Sequence, residues 1–134
     1  MATIKAQIGL EKYQIQIQSP SGNTLVADEP LSLGGQDKGF SPFELLAASL
    51  GACTAATLRM YADRKAWPLK TITVDVHLEW DKDNQKTVVH RHLLFKGEID
   101  HTQRSRLLAI ANSCPVHKIL SHQTEIHTKT EVIP

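Results

Sequence analysis

Cysteine is scarce in this sequence, and its scarcity excludes two classes of small protein. The 134 residues contain only two cysteines, Cys53 and Cys114. They lie far apart and form no CxxC pair, so the chain has neither a disulfide framework nor the ligand spacing of a zinc ribbon. In a reducing compartment such a pair of thiols is either inert or redox-active.

An excess of one charge and long apolar runs are also missing. Fifteen basic and fourteen acidic side chains give a formal net charge of +1, which provides no electrostatic footprint for nucleic acid or an anionic membrane. The first residues, MATIKAQIGLEK, lack the apolar core of a signal peptide, and the uncharged run Leu45–Leu58 is too short to span a bilayer. We therefore expect a cytoplasmic protein with no nucleic-acid partner and no membrane partner.

Motifs for nucleotide binding, serine hydrolysis and metal chemistry are absent as well. The sequence contains no GxGxxG, GxxxxGK[ST], GxSxG or HExxH. Its seven histidines include His90 and His92, which share one strand face and could meet His77 across a hairpin. Because solvent-facing strand positions explain these histidines more simply than a metal does, we expect no metal and no cofactor.

The hydrophobic pattern predicts one α+β domain over residues 1–134, with the element order β-β-β-α-β-β-α-α-β. Residues 3–9 and 12–18 alternate as a hairpin, a short strand covers Thr24–Asp28, and residues 29–40 form a loop. A longer hairpin covers residues 69–80 and 86–99. Two helices follow over residues 100–113 and 113–122, and a last strand covers residues 124–133. Because no βαβαβ repeat is present, antiparallel sheet is favoured.

The segment SPFELLAASLGACTAATLRMYADRK predicts a long helix with a thiol near its centre. Ser41 as cap, Pro42 at the first helical position and Glu44 in a capping box mark its start, and Pro68 follows its end. The neighbours of Cys53 at helical spacing are small: Ser49, Gly51, Ala52, Ala56 and Thr57. Apolar burial disfavours a thiolate, so Cys53 is either a buried structural thiol or the reagent of the protein.

Cys114 has the more favourable local chemistry for a thiolate. In SCPVHK it stands at a predicted helix start, where free N–H groups stabilise an anion, and His117 follows three residues later. The alternative is a capping cysteine whose sulfur is merely polar enough for the position. The sequence leaves both interpretations open.

These two cysteine segments, the long helix and LLAIANSCPVHKIL, resemble those of the OsmC/Ohr family of osmotically inducible and organic hydroperoxide resistance proteins. The resemblance extends over nearly the whole chain. It implies an OsmC-like fold in which antiparallel sheets surround long central helices. It also implies an intertwined homodimer whose sites form at the subunit interface.

The resemblance further implies a thiol-dependent peroxidase. Cys53 would attack the O–O bond of an organic hydroperoxide and become a sulfenic acid, and Cys114 would condense with it to a disulfide. An external dithiol would then reduce the disulfide. Four apolar residues are candidate walls of the substrate pocket: Phe43, Leu46, Leu50 and Met60.

Two residues that the family's peroxidases use to hold the thiolate have no direct counterpart here. Those enzymes take an Arg from the N-terminal hairpin and a Glu ten residues before the attacking cysteine. In this chain the first arginine is Arg59, and Lys12 is the nearest basic residue of the hairpin. Phe43 stands at the Glu position, and the candidate carboxylate is Glu44, rotated by about 100° on a helix. The alternative function is therefore an OsmC-like protein without peroxidase activity, which binds a small apolar ligand or performs other thiol chemistry.

Overall fold

The computed structural model describes all 134 residues, and its elements follow the predicted order up to the last strand. Their bounds are β1 Lys5–Ile8, β2 Ile15–Gln18, β3 Thr24–Ala27, α1 Pro42–Arg64, β4 Leu69–Asp81, β5 Lys86–Gly97, α2 His101–Ala111 and α3 Pro115–Leu120. The sheets are β1-β2-β3 and β4-β5. The predicted α+β class is confirmed.

Contacts divide the chain into two compact units, one made of residues 1–49 and 76–90 and the other of residues 50–75 and 91–134. Each unit takes residues from α1, β4 and β5, because the boundary falls inside these three elements. The single domain over residues 1–134 stays a prediction.

The first unit contains the three-stranded sheet, which is antiparallel throughout. Ala6 pairs with Ile17, and Ile15 pairs with Ala27. The loop after β3 returns to the sheet, where Phe40 forms a parallel bridge with Ala27. Gly39 permits this approach, because a Cβ at that position would collide with the backbone carbonyl of Val26.

Asp28 organises the same loop. Its side chain is fully buried and accepts four backbone hydrogen bonds, from the N–H groups of Tyr13, Glu29, Gln36 and Lys38 at 2.8–3.3 Å. Burial alone would raise the pKa of Asp28, but these four donors favour the carboxylate, and the pKa lies below its ordinary value. The ionised side chain therefore substitutes for the sheet partners that the loop backbone lacks.

Helix α1 begins as predicted. The Glu44 N–H donates to Ser41 Oγ, and the Ser41 N–H donates to Glu44 Oε1 at 2.9 Å, which completes a capping box. By length and composition alone, α1 is long and apolar enough to cross a membrane, with a mean hydropathy of 1.2 in its most apolar stretch. Only 22% of that stretch is buried within the chain, and the core helices of soluble proteins pass the same test.

The second unit contains the hydrophobic core. Its fully or nearly fully buried members are Leu58, Ala62, Leu69, Leu107 and Ala111. Partly buried side chains from β4, β5 and the ends of α1 and α2 pack against them: Tyr61, Trp67, Ile72, Leu93, Phe95, Ile99 and Ile110. The core thus joins the second half of α1 to α2 and β5, the elements that carry or precede the two cysteines.

The predicted strand over residues 124–133 does not form in this chain. Residues 123–134 have no regular secondary structure and are exposed. Ile126 and Val132 fall on one face of their alternating pattern, and such a pattern is typical of a half-buried strand. A strand also needs a neighbour for its backbone N–H and C=O groups, and no strand of this chain pairs with it. Alternation alone therefore gave the wrong element.

Candidate functional site

Both cysteines lie in the second unit, and neither is in a disulfide. Cys53 is half-buried in the middle of α1. Cys114 is fully buried at the N-cap of α3, where its sulfur accepts a hydrogen bond from the His117 N–H at 3.4 Å. Thr54, the residue that follows Cys53 on α1, has its Oγ1 3.7 Å from Cys114 Sγ. Folding thus brings together the two thiols that the sequence separates.

Thr54 connects helix α1 to the Cys114 sulfur. Its side chain is fully buried, and its Oγ1 lies 3.7 Å from Cys114 Sγ and 2.7 Å from the Leu50 carbonyl oxygen. A hydroxyl has one hydrogen to donate, so the Thr54 hydrogen has two acceptors within reach. It can therefore turn from the helix backbone toward the sulfur when the sulfur is charged.

Arg91, on β5, is the charged group of the site. Its Nη1 donates to Thr54 Oγ1 at 3.0 Å and lies 4.0 Å from Cys114 Sγ. Its Nη2 donates to Asn112 Oδ1 at 2.9 Å and lies 3.1 Å from His117 Nδ1. An arginine cannot accept a hydrogen bond, so Nδ1 of His117 must be the acceptor in this contact.

These contacts set the ionisation of Cys114. Burial raises the pKa of the thiol, but the His117 N–H, the Thr54 hydroxyl, the Cys53 thiol and the positive charge of Arg91 act in the opposite direction. The opposing contributions outweigh burial, and the pKa of Cys114 lies below its ordinary value. The Cys114 thiol therefore ionises more readily in this site than an ordinary cysteine does.

The other residues singled out in the sequence lie elsewhere or in structural contacts. Glu44 is engaged in the capping box of α1, and Lys12 lies in the exposed turn between β1 and β2. Arg59 donates to the carbonyl oxygens of Leu69 and Lys70 at 2.7 and 2.9 Å, which ties α1 to the start of β4. None of these contacts involves a thiol. A catalytic role for Glu44 stays a prediction.

The predicted pocket walls are mostly uncovered in the chain. Phe43 is 68% exposed and Met60 63%, Leu46 is exposed as well, and Leu50 is buried. A cavity of about 420 Å³ lies instead along β5 and α2, beside Arg91. Apolar side chains and cationic or polar ones share its lining: Leu93, Phe95, Leu108, Arg91, His92, His101, Arg104 and Ser105.

The histidines of the long hairpin lie on its exposed face, as the alternation predicts. His77 stacks on His90 with ring centroids 6.4 Å apart, and His77 Nε2 lies 2.7 Å from Glu79 Oε1. No group of three or more His, Cys, Asp or Glu side chains has the arrangement of a metal site.

Arg91 is the site residue that the sequence analysis missed, and a signal for it was present. Along β5 the partly buried positions alternate with exposed ones, and Arg91 falls in the same register as Leu93 and Phe95. A guanidinium at an inward position of an apolar strand is unusual unless a partner stabilises it.

Comparison with known proteins assigns the family. The model of the OsmC family, described as OsmC-like protein, matches residues 35–129, which include both cysteines and Arg91. The chain belongs to the OsmC family. A search of the curated proteins gives no match.

Solved structures of OsmC proteins share the fold. A protein assigned to the osmotic stress induced and detoxification response proteins of Psychrobacter arcticus is 26% identical, with a TM-score of 0.77 over 89% of this chain and 88% of that one. An OsmC-like protein from Mycoplasma pneumoniae is 20% identical, with a TM-score of 0.77 over 90% and 87% of the two chains. The organic hydroperoxide resistance protein OhrB of Bacillus subtilis is 22% identical, with a TM-score of 0.60 over 89% of each. The OsmC fold is thereby shown.

Proposed function

We propose that this OsmC protein has a redox role in the response to stress and that it reduces organic hydroperoxides with its two thiols. Cys53 attacks the terminal peroxide oxygen and becomes a sulfenic acid, and the substrate leaves as an alcohol. Cys114 then displaces the sulfenic oxygen, and an external dithiol reduces the resulting disulfide. No bound cofactor is needed, because the reducing electrons come from thiols alone.

The proximity of the two thiols is the observation that carries this proposal. Cys53 immediately precedes Thr54, whose Oγ1 lies 3.7 Å from Cys114 Sγ, although many residues separate the two cysteines in the sequence. Disulfide formation requires two sulfurs whose backbones already lie close together. Membership of the OsmC family and the fold shared with the hydroperoxide resistance protein OhrB support the same reaction.

Consumption of an organic hydroperoxide tests this function directly. We expect wild-type protein to consume cumene hydroperoxide in the presence of dithiothreitol, and we expect Cys53→Ser to be no faster than the uncatalysed reaction. The control variant is Ser49→Ala, one turn before Cys53 on α1, which retains both thiols. If wild type and Cys53→Ser consume hydroperoxide equally slowly, the peroxidase proposal is wrong.

The second candidate is a protein that binds a small apolar ligand or performs other thiol chemistry. Two observations favour it: Glu44 is occupied by the capping box, and the N-terminal hairpin contains no arginine. The cavity of about 420 Å³ beside Arg91 has an apolar part, formed by Leu93, Phe95 and Leu108, that could receive such a ligand. Quenching of Trp67 and Trp80 fluorescence or calorimetry with apolar ligands, in protein whose thiols are blocked, would separate binding from thiol chemistry.

We further propose that the protein acts in the cytoplasm as a homodimer. A reducing compartment keeps both thiols available. The exposed apolar residues of α1, such as Phe43 and Met60, and the unpaired alternating segment at residues 124–133 are surfaces that a second copy of the chain would cover.

A further inference from the structure

Arg91 is a partly buried cation without an anionic partner in the chain. Its position on β5 belongs to the inward register of Leu93 and Phe95. The ion pairs of the chain, Arg59–Asp63, His77–Glu79 and His127–Glu125, do not include it. Charges withdrawn from water are normally paired, because burial of an uncompensated charge is costly. An anion beside Arg91 would therefore offset the free-energy cost of its partial burial.

The groups around the guanidinium identify that anion. Thr54 and Asn112 offer neutral oxygens, and His117 offers the lone pair of Nδ1. Cys114 Sγ lies 4.0 Å from Nη1. Of these four neighbours of Arg91, only the cysteine becomes an anion when it loses a proton. Arg91 also holds the sulfur's surroundings in place, because its two terminal nitrogens connect β5 to α1, to the end of α2 and to α3.

We propose that Arg91 is the positioning residue that keeps Cys114 as a thiolate for the resolving step. The inference rests on the proposed peroxidase function and assigns Arg91 to the resolving thiol. The Cys114 thiolate attacks the sulfur of the Cys53 sulfenic acid. The S–S bond forms, the S–O bond breaks, and the oxygen leaves as hydroxide, which solvent protonates to water. The organic hydroperoxide is the oxidant of Cys53 in the preceding step.

The two thiols differ in exposure and in charged neighbours, and this difference suits Cys53 to attack on the hydroperoxide and Cys114 to disulfide formation. Cys53 is half-buried, so a hydroperoxide can approach it, whereas Cys114 is 0% exposed. A thiolate that solvent oxidants do not reach is protected from direct oxidation, since susceptibility follows both ionisation and access. The charge of Arg91 acts with the His117 N–H and the Thr54 hydroxyl, which contribute more, against the effect of burial on the pKa of the Cys114 thiol.

Titration of the Cys114 thiolate tests the effect of Arg91 without any hydroperoxide. In a Cys53→Ser background, the ultraviolet absorbance of the thiolate would be followed against pH for the parent, Arg91→Met, Arg91→Lys and Arg64→Met. Arg64, exposed in the last turn of α1, supplies the matched control. The other titratable group at the sulfur is His117, so His117→Asn would be titrated alongside.

We expect Arg91→Met to move the Cys114 titration toward higher pH. Arg91→Lys should give an intermediate position, because lysine keeps the charge but lacks the planar fork. Arg64→Met and the parent should coincide. Circular dichroism and urea unfolding of each variant establish that the chain is folded. If folded Arg91→Met titrates with the parent, the proposal is overturned.

Single-turnover oxidation then tests the resolving step in the chain that has both cysteines. One equivalent of cumene hydroperoxide would be added, and the sulfenic acid, trapped with dimedone, and the disulfide would be quantified by mass spectrometry over time. For Arg91→Met we expect disulfide formation to slow and sulfenic acid to accumulate, because the thiolate is the nucleophile and its fraction at a given pH falls when the titration moves to higher pH. Arg91→Lys should recover part of the rate.

The two failures are distinguishable. If wild type forms no sulfenic acid and no disulfide, the peroxidase function fails, whatever the titration shows. If wild type forms the disulfide and Arg91→Met forms it at the same rate with no accumulation of sulfenic acid, the role of Arg91 fails while the function stands.

Discussion

Cys53 and Cys114 have different surroundings, and the difference predicts different consequences when each is lost. Cys53 is half-buried on α1, and Cys114 is enclosed beside Arg91 and Thr54. Replacing the enclosed thiol should leave the first oxidation of Cys53 possible and remove the thiol that resolves it. The two substitutions should therefore be separable by the oxidation state in which the protein stops.

For Cys114→Ser we expect Cys53 to reach the sulfenic acid and, with excess organic hydroperoxide, to proceed to the sulfinic acid. Turnover with a dithiol should fall far below wild type. Intact mass after stepwise addition of hydroperoxide measures the oxygens added to the chain. A Cys114→Ser protein that turns over at the wild-type rate and gains no oxygen would contradict the assignment of Cys114 as resolving thiol.

A second prediction at the level of single residues concerns Asp28, whose buried carboxylate should make the stability of the fold depend on pH. Its pKa is lowered in the folded chain because four backbone N–H groups outweigh the effect of burial. A carboxylate that ionises more readily when folded stabilises the fold above its unfolded pKa, and this contribution is lost as the pH falls through the lower folded value. Stability should therefore decrease on acidification.

We expect Asp28→Asn to unfold at lower urea concentration than wild type at about pH 7, because the amide cannot accept all four hydrogen bonds. The difference should shrink as the pH falls below about 3.9, the unfolded pKa of Asp, toward the lower folded value. Asp75→Asn, an exposed position on β4, is the matched control and should change little. A constant difference between Asp28→Asn and wild type across this range would contradict the explanation.

The residue scale also shows what the sequence could reveal about the site. Cys53 and Cys114 were recognisable because each stands in a distinctive segment, and the N-cap position of Cys114 followed from Pro115. For Arg91, the sequence indicated only a cation among the inward, apolar positions of a strand. Its contacts with Thr54 and with the Cys114 sulfur depend on tertiary packing, for which local spacing gives no signal.

At the scale of elements, helix starts were predictable because their chemistry is local. Ser41 and Glu44 form a reciprocal capping box on α1, and Asp100 and Gln103 form another on α2. Side chain and backbone partners lie three residues apart in each case, so the sequence contains the whole interaction. The strand expected at residues 124–133 could not be predicted in this way. A strand forms only beside a pairing partner, and the alternating pattern does not indicate which segment that partner is.

The α1 capping box predicts a measurable loss of stability. Ser41→Ala should lower the free energy of unfolding by about 1 kcal/mol, because the Glu44 N–H at the helix start loses its acceptor, Ser41 Oγ. Glu44→Ala should also destabilise, and the double variant should cost less than the sum. Ser49→Ala, inside α1, is the control and should not destabilise. Additive effects in urea unfolding would argue that the two side chains act independently.

At the scale of the whole molecule, the exposed apolar surface predicts association. Phe43 and Met60 on α1 are more than half exposed, as are Ile126, Val132 and Ile133 near the C-terminus. We expect light scattering to give about twice the chain mass of 14.9 kDa. Removal of residues 124–134 should shift the protein toward the monomer, since the alternating segment would lose its pairing. A truncated chain that remains as dimeric as wild type would exclude this segment from the interface.

The central claim for the molecule is that Cys53 and Cys114 form one redox pair. Peptide mapping after one equivalent of cumene hydroperoxide, without reductant, tests it most directly. We expect a disulfide that joins the Cys53 and Cys114 peptides of the same chain, with loss of both free thiols. Dithiothreitol should reverse this oxidation fully. Two thiols that remain free while the hydroperoxide is intact, or an oxidised Cys53 beside a free Cys114, would contradict it.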